Sequence, residues 1–127
     1  MKYALLIYSD QSAWASYTEE ESARLREESI PKWNACFEEL GKADPDLSGF
    51  ELEAASDAKV VRVRDGERTV TDGPFAETKE RVGGFFFLEA RDLNEAIQVV
   101  SRLPGARMGE HLGWGIEVRE IEEIPHL

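Results

Sequence analysis

The order of elements along this chain predicts an α+β domain, a split β-α-β arrangement with an inserted β-hairpin. Three observations predict it. Apolar strand segments open and close the chain, at Lys2–Ser9 and Ile116–Ile121. Two segments with helical spacing each begin on a capping residue, Thr18 and Asp92. Between those helices Asp65-Gly66 joins two short runs, the strongest two-residue hairpin signal.

Each element has its own local reason. Lys2–Ser9 carries large apolar side chains at both alternating sets of positions, as a central strand covered on two sides requires. Thr18-Glu19-Glu20-Glu21 is a capping box that starts a helix running to about Leu40, with Ile30, Trp33, Phe37 and Leu40 on one face. Pro31 removes one backbone bond of that helix and predicts a kink, and Gly41 is its expected C-terminal cap. A turn at Asp44–Ser48 leads to a strand at Gly49–Ala54. The hairpin strands are Lys59–Arg64 and Glu67–Thr71, and a further strand is expected at Phe85–Ala90. Asp92 caps a second helix through Leu103, with Leu93, Ala96, Ile97, Val100 and Leu103 inward, ended by Pro104-Gly105. The Gly105–Gly115 loop then reaches the last strand.

Composition narrows the function classes. A chain of 127 residues forms one domain, here the whole of 1–127, large enough for a core without staples. Fifteen basic and 26 acidic residues give a net charge of −11, and the basic residues are interleaved with acids, so no positive footprint for nucleic acid exists. No apolar run approaches the ~20 residues of a membrane span, and Met1-Lys2-Tyr3 leads straight into a strand, so the expected location is the cytoplasm. The single cysteine, Cys36, excludes an internal disulfide and sits in a helix, where packing is its expected role.

Both helices of a split β-α-β unit fall on one face of the sheet. The other face stays bare in a monomer, so the patterning favours a homodimer formed sheet to sheet. At the hairpin's end, Thr71-Asp72-Gly73-Pro74-Phe75 reads as a tight turn: Asp72 to bond the backbone two residues on, Gly73 to tolerate positive φ, Pro74 to fix its own φ. Such a turn is expected to hold the Asp72 carboxylate at the rim of a cavity.

Taken with Met1–Tyr8, Val70–Lys79, Gly83-Gly84-Phe85 and Glu117-Val118-Arg119, the tetrapeptide Asp72–Phe75 carries a resemblance. The chain resembles the YCII-related family, in the branch marked by Asp-Gly-Pro-Phe (the DGPF domain), from Met1 to Ile121. The resemblance implies a ferredoxin-like fold that pairs into a dimeric α/β barrel. It also implies a link to extracytoplasmic-function sigma factors, beside which such proteins are often encoded. One departure stands out: the family usually has proline after the arginine matched by Arg119, where this chain has Glu120.

The candidate site residues follow. Glu117 and Arg119 are two apart on the last strand and share one face; with Ile116 and Val118 toward the helices, they point into the space between sheets. Their charges suit either a closed ion pair or a ligand site. Tyr8 matches an aromatic position of the family and either lines the pocket or packs. Lys79 offers a cation for an anionic ligand. Asp72 suits proton transfer or a turn cap. Some YCII relatives are similar in using a His–Asp pair, and His111 is the internal histidine that such a pair with Asp72 or Glu110 would need. Trp14 and Trp114 sit in loops, as cavity lids or dimer contacts. Two histidines, His111 and His126, without ligand spacing predict no metal, and the glycines after Gly105 lead into no helix, so no organic cofactor is expected.

Three functional readings stand open. One is a small-ligand protein with proton-transfer activity of the isomerase or lyase type. The second is a non-catalytic binding or regulatory module, with the link to a sigma factor that the resemblance implies. The third is a plain structural dimer.

Overall fold

The computed structural model describes residues 1–10, 15–53, 55–75, 80–103, 115–122 and 124–125. Lys79, His111, His126, Trp14 and Trp114 lie outside the described residues, as does the Gly105–Gly115 loop apart from Gly115. The elements in chain order are β1 (Lys2–Asp10), α1 (Glu19–Ala43), β2 (Ser48–Glu51), one 3₁₀ turn (Ala55–Asp57), β3 (Lys59–Arg64), β4 (Glu67–Asp72), β5 (Glu80–Glu89), α2 (Leu93–Val100) and β6 (Gly115–Ile121). Four strands form one antiparallel sheet in the order β2-β5-β1-β6, and β3-β4 form a separate hairpin. In this order β5 separates β1 from β2, and β1 separates β5 from β6, which is how two interleaved split β-α-β units lie.

One face of the sheet meets both helices. Tyr3 and Leu5 of β1, Phe86 and Leu88 of β5, and Ala96, Val100 and Leu103 from α2 and just beyond it are all buried together. Trp33, Cys36, Phe37 and Leu40 of α1 pack onto them, with the Phe37 ring edge-on to Phe86 at 5.5 Å. Ile116 and Val118 of β6 face the same core.

Helix α1 starts as its sequence requires: the Thr18 side chain accepts the Glu21 N–H at 3.1 Å, and Glu19, Glu20 and Glu21 complement the helix dipole. It does not stop at Gly41. The helix runs on to Ala43 and ends at Asp44, whose N–H donates to the Leu40 carbonyl at 2.9 Å. The Asp44 carboxylate also accepts the N–H groups of Asp46 (3.2 Å) and of Glu89 on β5 (2.9 Å), tying the helix end to the sheet. Because the side chain of the cap residue itself clasps this end, no glycine is needed there. The buried stripe is Ser29, Trp33, Cys36, Phe37 and Leu40; Ile30, one position further round, is half exposed.

Helix α2 is shorter than its apolar pattern, ending at Val100, with Leu103 buried just past it. Asp92 caps it by accepting the Glu95 N–H at 2.8 Å. Only Ala96, Val100 and Leu103 reach the core, with Val99 beside them, while Leu93 and Ile97 face outward. Strand β2 is also short, four exposed residues at the sheet's edge.

Strand β5 begins at Glu80, five residues before the expected Phe85. Gly83-Gly84, just ahead of the expected start, lies within the strand. Ile7 pairs with Gly84 and Tyr8 with Val82, so Gly83 is the extra residue of a β-bulge. Gly84 answers a close approach, since a Cβ there would stand 3.0 Å from the Phe50 carbonyl oxygen.

The hairpin turn is as expected, with Asp65 at φ 53° and Gly66 at φ 78°, the left-handed pair of a type I′ turn. The turn after β4 is built differently from the expectation. Gly73 is not at positive φ; it is required because a Cβ would come 2.9 Å from that of Ala58, whose carbonyl accepts the Gly73 N–H at 2.7 Å. The bond from Asp72 to the backbone two residues on cannot form, because Pro74 has no N–H. The Gly73–Pro74 peptide is cis.

Candidate functional site

The sheet face opposite the helices carries Ala4, Leu6 and Tyr8 from β1, Phe85 and Phe87 from β5, Phe50 from β2, and Glu117 and Arg119 from β6. Strand alternation decides this: the partners that flank Leu5 and Ile7 point to the core, so their neighbours point away. The register places Phe50, Phe85, Leu6 and Glu117 in one row across the sheet, and Phe87, Ala4 and Arg119 in the next. Phe85 stands 5.5 Å from Phe50 and 5.8 Å from Phe87 between ring centres, an aromatic cluster on the face turned away from both described helices. Phe50 is 60% exposed. Ala4 is the small residue between Phe87 and Arg119, so the second row dips in its middle.

At the β6 edge of this face three polar groups converge. Arg119 donates from Nε to Glu117 Oε1 at 2.8 Å, and the Tyr8 phenol lies close enough to the same carboxylate for each to shift the other's titration. Tyr8 lies directly across from Gly115, so no side chain stands between it and Glu117, its diagonal neighbour. The bond from Arg119, then the Tyr8 phenol, holds the Glu117 carboxyl below the usual range. Burial first, and the Glu117 carboxylate second, pushes the Tyr8 phenol up. Arg119 is also held more firmly protonated, chiefly by the bond to Glu117. Near neutral pH the trio is therefore a neutral phenol, a carboxylate and a guanidinium. Arg119 spends Nε on Glu117, and with 68% of its side chain exposed the terminal fork remains accessible to an anion.

The expected residues divide between two places. Tyr8, Glu117 and Arg119 come together. Asp72 stands apart at the end of β4, its carboxylate paired with Lys59 across the hairpin. Its side chain is largely exposed. Among the open depressions formed by the described residues are two that Asp72 does not line. One, of about 610 Å³, lies among Lys2, Asp44, Phe87, Glu89 and Ile121; the other, of about 390 Å³, lies among Leu52, Ala58, Pro74, Arg81 and Val82. Lys79 and His111 are outside the described residues.

Sequence reasoning missed the aromatic cluster as part of the site. Phe85 and Phe87 were legible as alternating residues of one strand, but Phe50 joins them only through the β2–β5 pairing. Burial pushes the Cys36 thiol up, in keeping with a packing role in α1. Among the described residues no group of three or more His, Cys, Asp or Glu side chains could hold a metal ion. Among them, too, no helix is long and apolar enough to cross a membrane.

Comparison with known proteins agrees with this architecture. Residues 1–124 match the model of the YCII-related domain. The chain is also 34% identical over 106 residues to an uncharacterized protein of Rhizobium meliloti (strain 1021), covering 84% of this chain and 82% of that one. An α+β chain with a four-stranded antiparallel sheet, an added hairpin and a family match along nearly its whole length belongs to the YCII-related domain family.

Proposed function

We propose that this protein binds a small polar or anionic molecule between two copies of itself, each turning its open sheet face toward the other as a dimeric, ferredoxin-like α/β barrel. The observation that carries this reading is the Tyr8–Glu117–Arg119 group beside Phe50, Phe85 and Phe87, polar groups converging at the edge of an aromatic surface turned away from both described helices. Pockets for small molecules combine mostly apolar walls with a few convergent polar groups of this kind. Apolar surface of this extent on a sheet face also calls for a cover.

The chemistry available is specific. Arg119's terminal nitrogens supply a fork for a carboxylate, Tyr8 a phenol, and the phenyl cluster a platform for a flat ligand. Glu117, held as an anion, orients both neighbours. Its depressed pKa makes it a weak base, so binding is the primary role. Proton transfer, as an isomerase or lyase would need, falls to Tyr8, or to Asp72 and His111 if pairing brings them to the site.

The test uses Arg119→Met with benzoate, 4-hydroxybenzoate and oxaloacetate as probes, followed by NMR shifts and thermal melting. Wild type should bind at least one probe with shifts at Tyr8 and Phe85, and the variant should weaken that binding tenfold or more. A variant that is clearly less stable yet binds with unchanged affinity makes Arg119 scaffold and moves the pocket elsewhere.

A further inference from the structure

The β3–β4 hairpin forms no part of the main sheet, and every residue of its two strands is exposed except the partly buried Val60. A lone two-stranded hairpin is marginal in water and needs a third strand or a packing partner. Its two faces differ. On one face Arg62 stacks over the Phe75 ring of its own chain at 4.8 Å, so that side is engaged within the chain. The other carries Val61 opposite Val70 and Val63 opposite Arg68, with the Lys59–Asp72 ion pair at the base. These valines are 61%, 53% and 70% exposed in the order Val61, Val70, Val63. Three bare β-branched side chains on one face of a strand pair are an interface pattern, because solvent-facing positions of such a hairpin are ordinarily polar.

We propose that this hairpin is an intersubunit arm whose valine face lies on a second copy of the chain, at the Tyr8 end of that copy's open sheet face. The proposal rests on the face-to-face pairing set out above. Three observations select this occupant. The first is position: Ala58 and Pro74 at the hairpin's base share a depression with Arg81 and Val82, and Val82 pairs with Tyr8. The arm therefore springs from the same end of the sheet as the polar trio. The second is charge. The hairpin holds four cations, Lys59, Arg62, Arg64 and Arg68, against three acids, in a chain whose net charge is −11. A basic arm offsets the repulsion between two such acidic copies. The third is area. Four strands spaced ~4.8 Å apart and paired over about seven residues present a projected face of about 400 Å². Even with side-chain relief that is at the small end for a stable pair, which needs about 800 Å² per partner. A reciprocal arm on each side adds the missing surface, and each site is then walled by residues of the other copy.

Two measurements on the full chain decide it: sedimentation of wild type and the Val61→Asp/Val70→Asp double variant, and hydrogen exchange of wild-type hairpin amides across a concentration series. The expected result is a wild-type dimer whose β3 and β4 amides gain protection as dimer forms, and a variant whose dimer Kd rises tenfold or more. Circular dichroism of the variant should match wild type. If the variant fails to fold, the wild-type exchange series alone decides: amides that exchange equally in monomer and dimer overturn the arm. A wild-type dimer with unprotected hairpin amides and a variant that pairs as tightly also refutes the arm while leaving face-to-face pairing intact. A wild type that stays monomeric at high micromolar concentration overturns both.

Discussion

Replacing Asp44 by alanine tests whether one carboxylate fastens α1 to the sheet. Asp44 is 8% exposed and holds two backbone N–H groups, that of Glu89 at 2.9 Å and that of Asp46 at 3.2 Å. The longer bond is local to the turn after the helix, beside exposed Asp46, and contributes less. The bond to Glu89 joins α1 to β5 and is partly buried, and Asp44→Ala leaves that N–H without its acceptor. A hydrogen bond to a charged group contributes about 1.5–3 kcal/mol, and adding a few tenths for the turn gives a loss of about 2–3 kcal/mol. With an unfolding entropy of about 2.1 cal/mol/K per residue, a chain of 127 residues should melt about 7–11 °C lower. Asp44→Asn keeps a carbonyl acceptor and should lose about half as much. The assay is urea unfolding with thermal melting, read together with the m-value. An alanine variant within about 0.5 kcal/mol of wild type, at unchanged m-value, would refute the clasp and leave the apolar contacts of Phe37 and Leu40 to hold α1 in place.

Three further outcomes follow from the geometry. Glu117 has a folded-state pKa below its ordinary value, so its bond to Arg119 and its contact with Tyr8 contribute stability that is present above the ordinary glutamate range and is lost as pH falls through the depressed value; the stability gap between wild type and Glu117→Gln should close in that acid window, as denaturation at a series of pH values will show. Arg119→Met and Tyr8→Phe should each raise the Glu117 pKa, the arginine variant more, which carboxyl-carbon NMR titration measures directly. Gly49→Ala would put a Cβ 2.7 Å from that of buried Phe86 and should cost about 1–3 kcal/mol by overpacking, whereas Gly83→Ala meets nothing within 4 Å and should unfold close to wild type in the same denaturant titration.

Much of the fold was legible because local signals and tertiary packing agree. The Thr18 and Asp92 caps, the Asp65-Gly66 turn and the strand alternation of β1 and β6 each have a cause within a few residues. What was not legible depends on neighbours distant in sequence. The end of α1 is set by the contact of Asp44 with Glu89, 45 residues on, and the early start of β5 by its pairing with the end of β1. Helical spacing admits Ile30, Leu93 and Ile97 to an apolar stripe, but only the layer above the sheet decides which side of that stripe is covered. The site was legible in the same measure. Glu117 and Arg119 follow from period two, whereas the place of Tyr8 beside them needs the β1–β6 register and that of Phe50 the β2–β5 register. Asp72 has good turn chemistry around it, yet its nearest cation comes from the start of β3.

The bulge at Gly83 works as a phase shifter along β5. Downstream of it, the odd-numbered Phe85 and Phe87 look out over the open face; upstream, the even-numbered Glu80 and Val82 do so, facing alongside Tyr8 and Asp10. Because the extra residue is left out of the pairing, Val82 stays opposite Tyr8 and Arg81 opposite Ser9 on the helix side. Were Gly83 instead drawn into regular register opposite Tyr8, every residue before it would change face, Val82 turning toward the helices opposite Ser9 and Arg81 looking out opposite Asp10. One glycine, at a position whose own side chain is a hydrogen, thus decides whether Val82 or a second guanidinium looks over the open face, while Tyr8, Glu117 and Arg119 all stay in place.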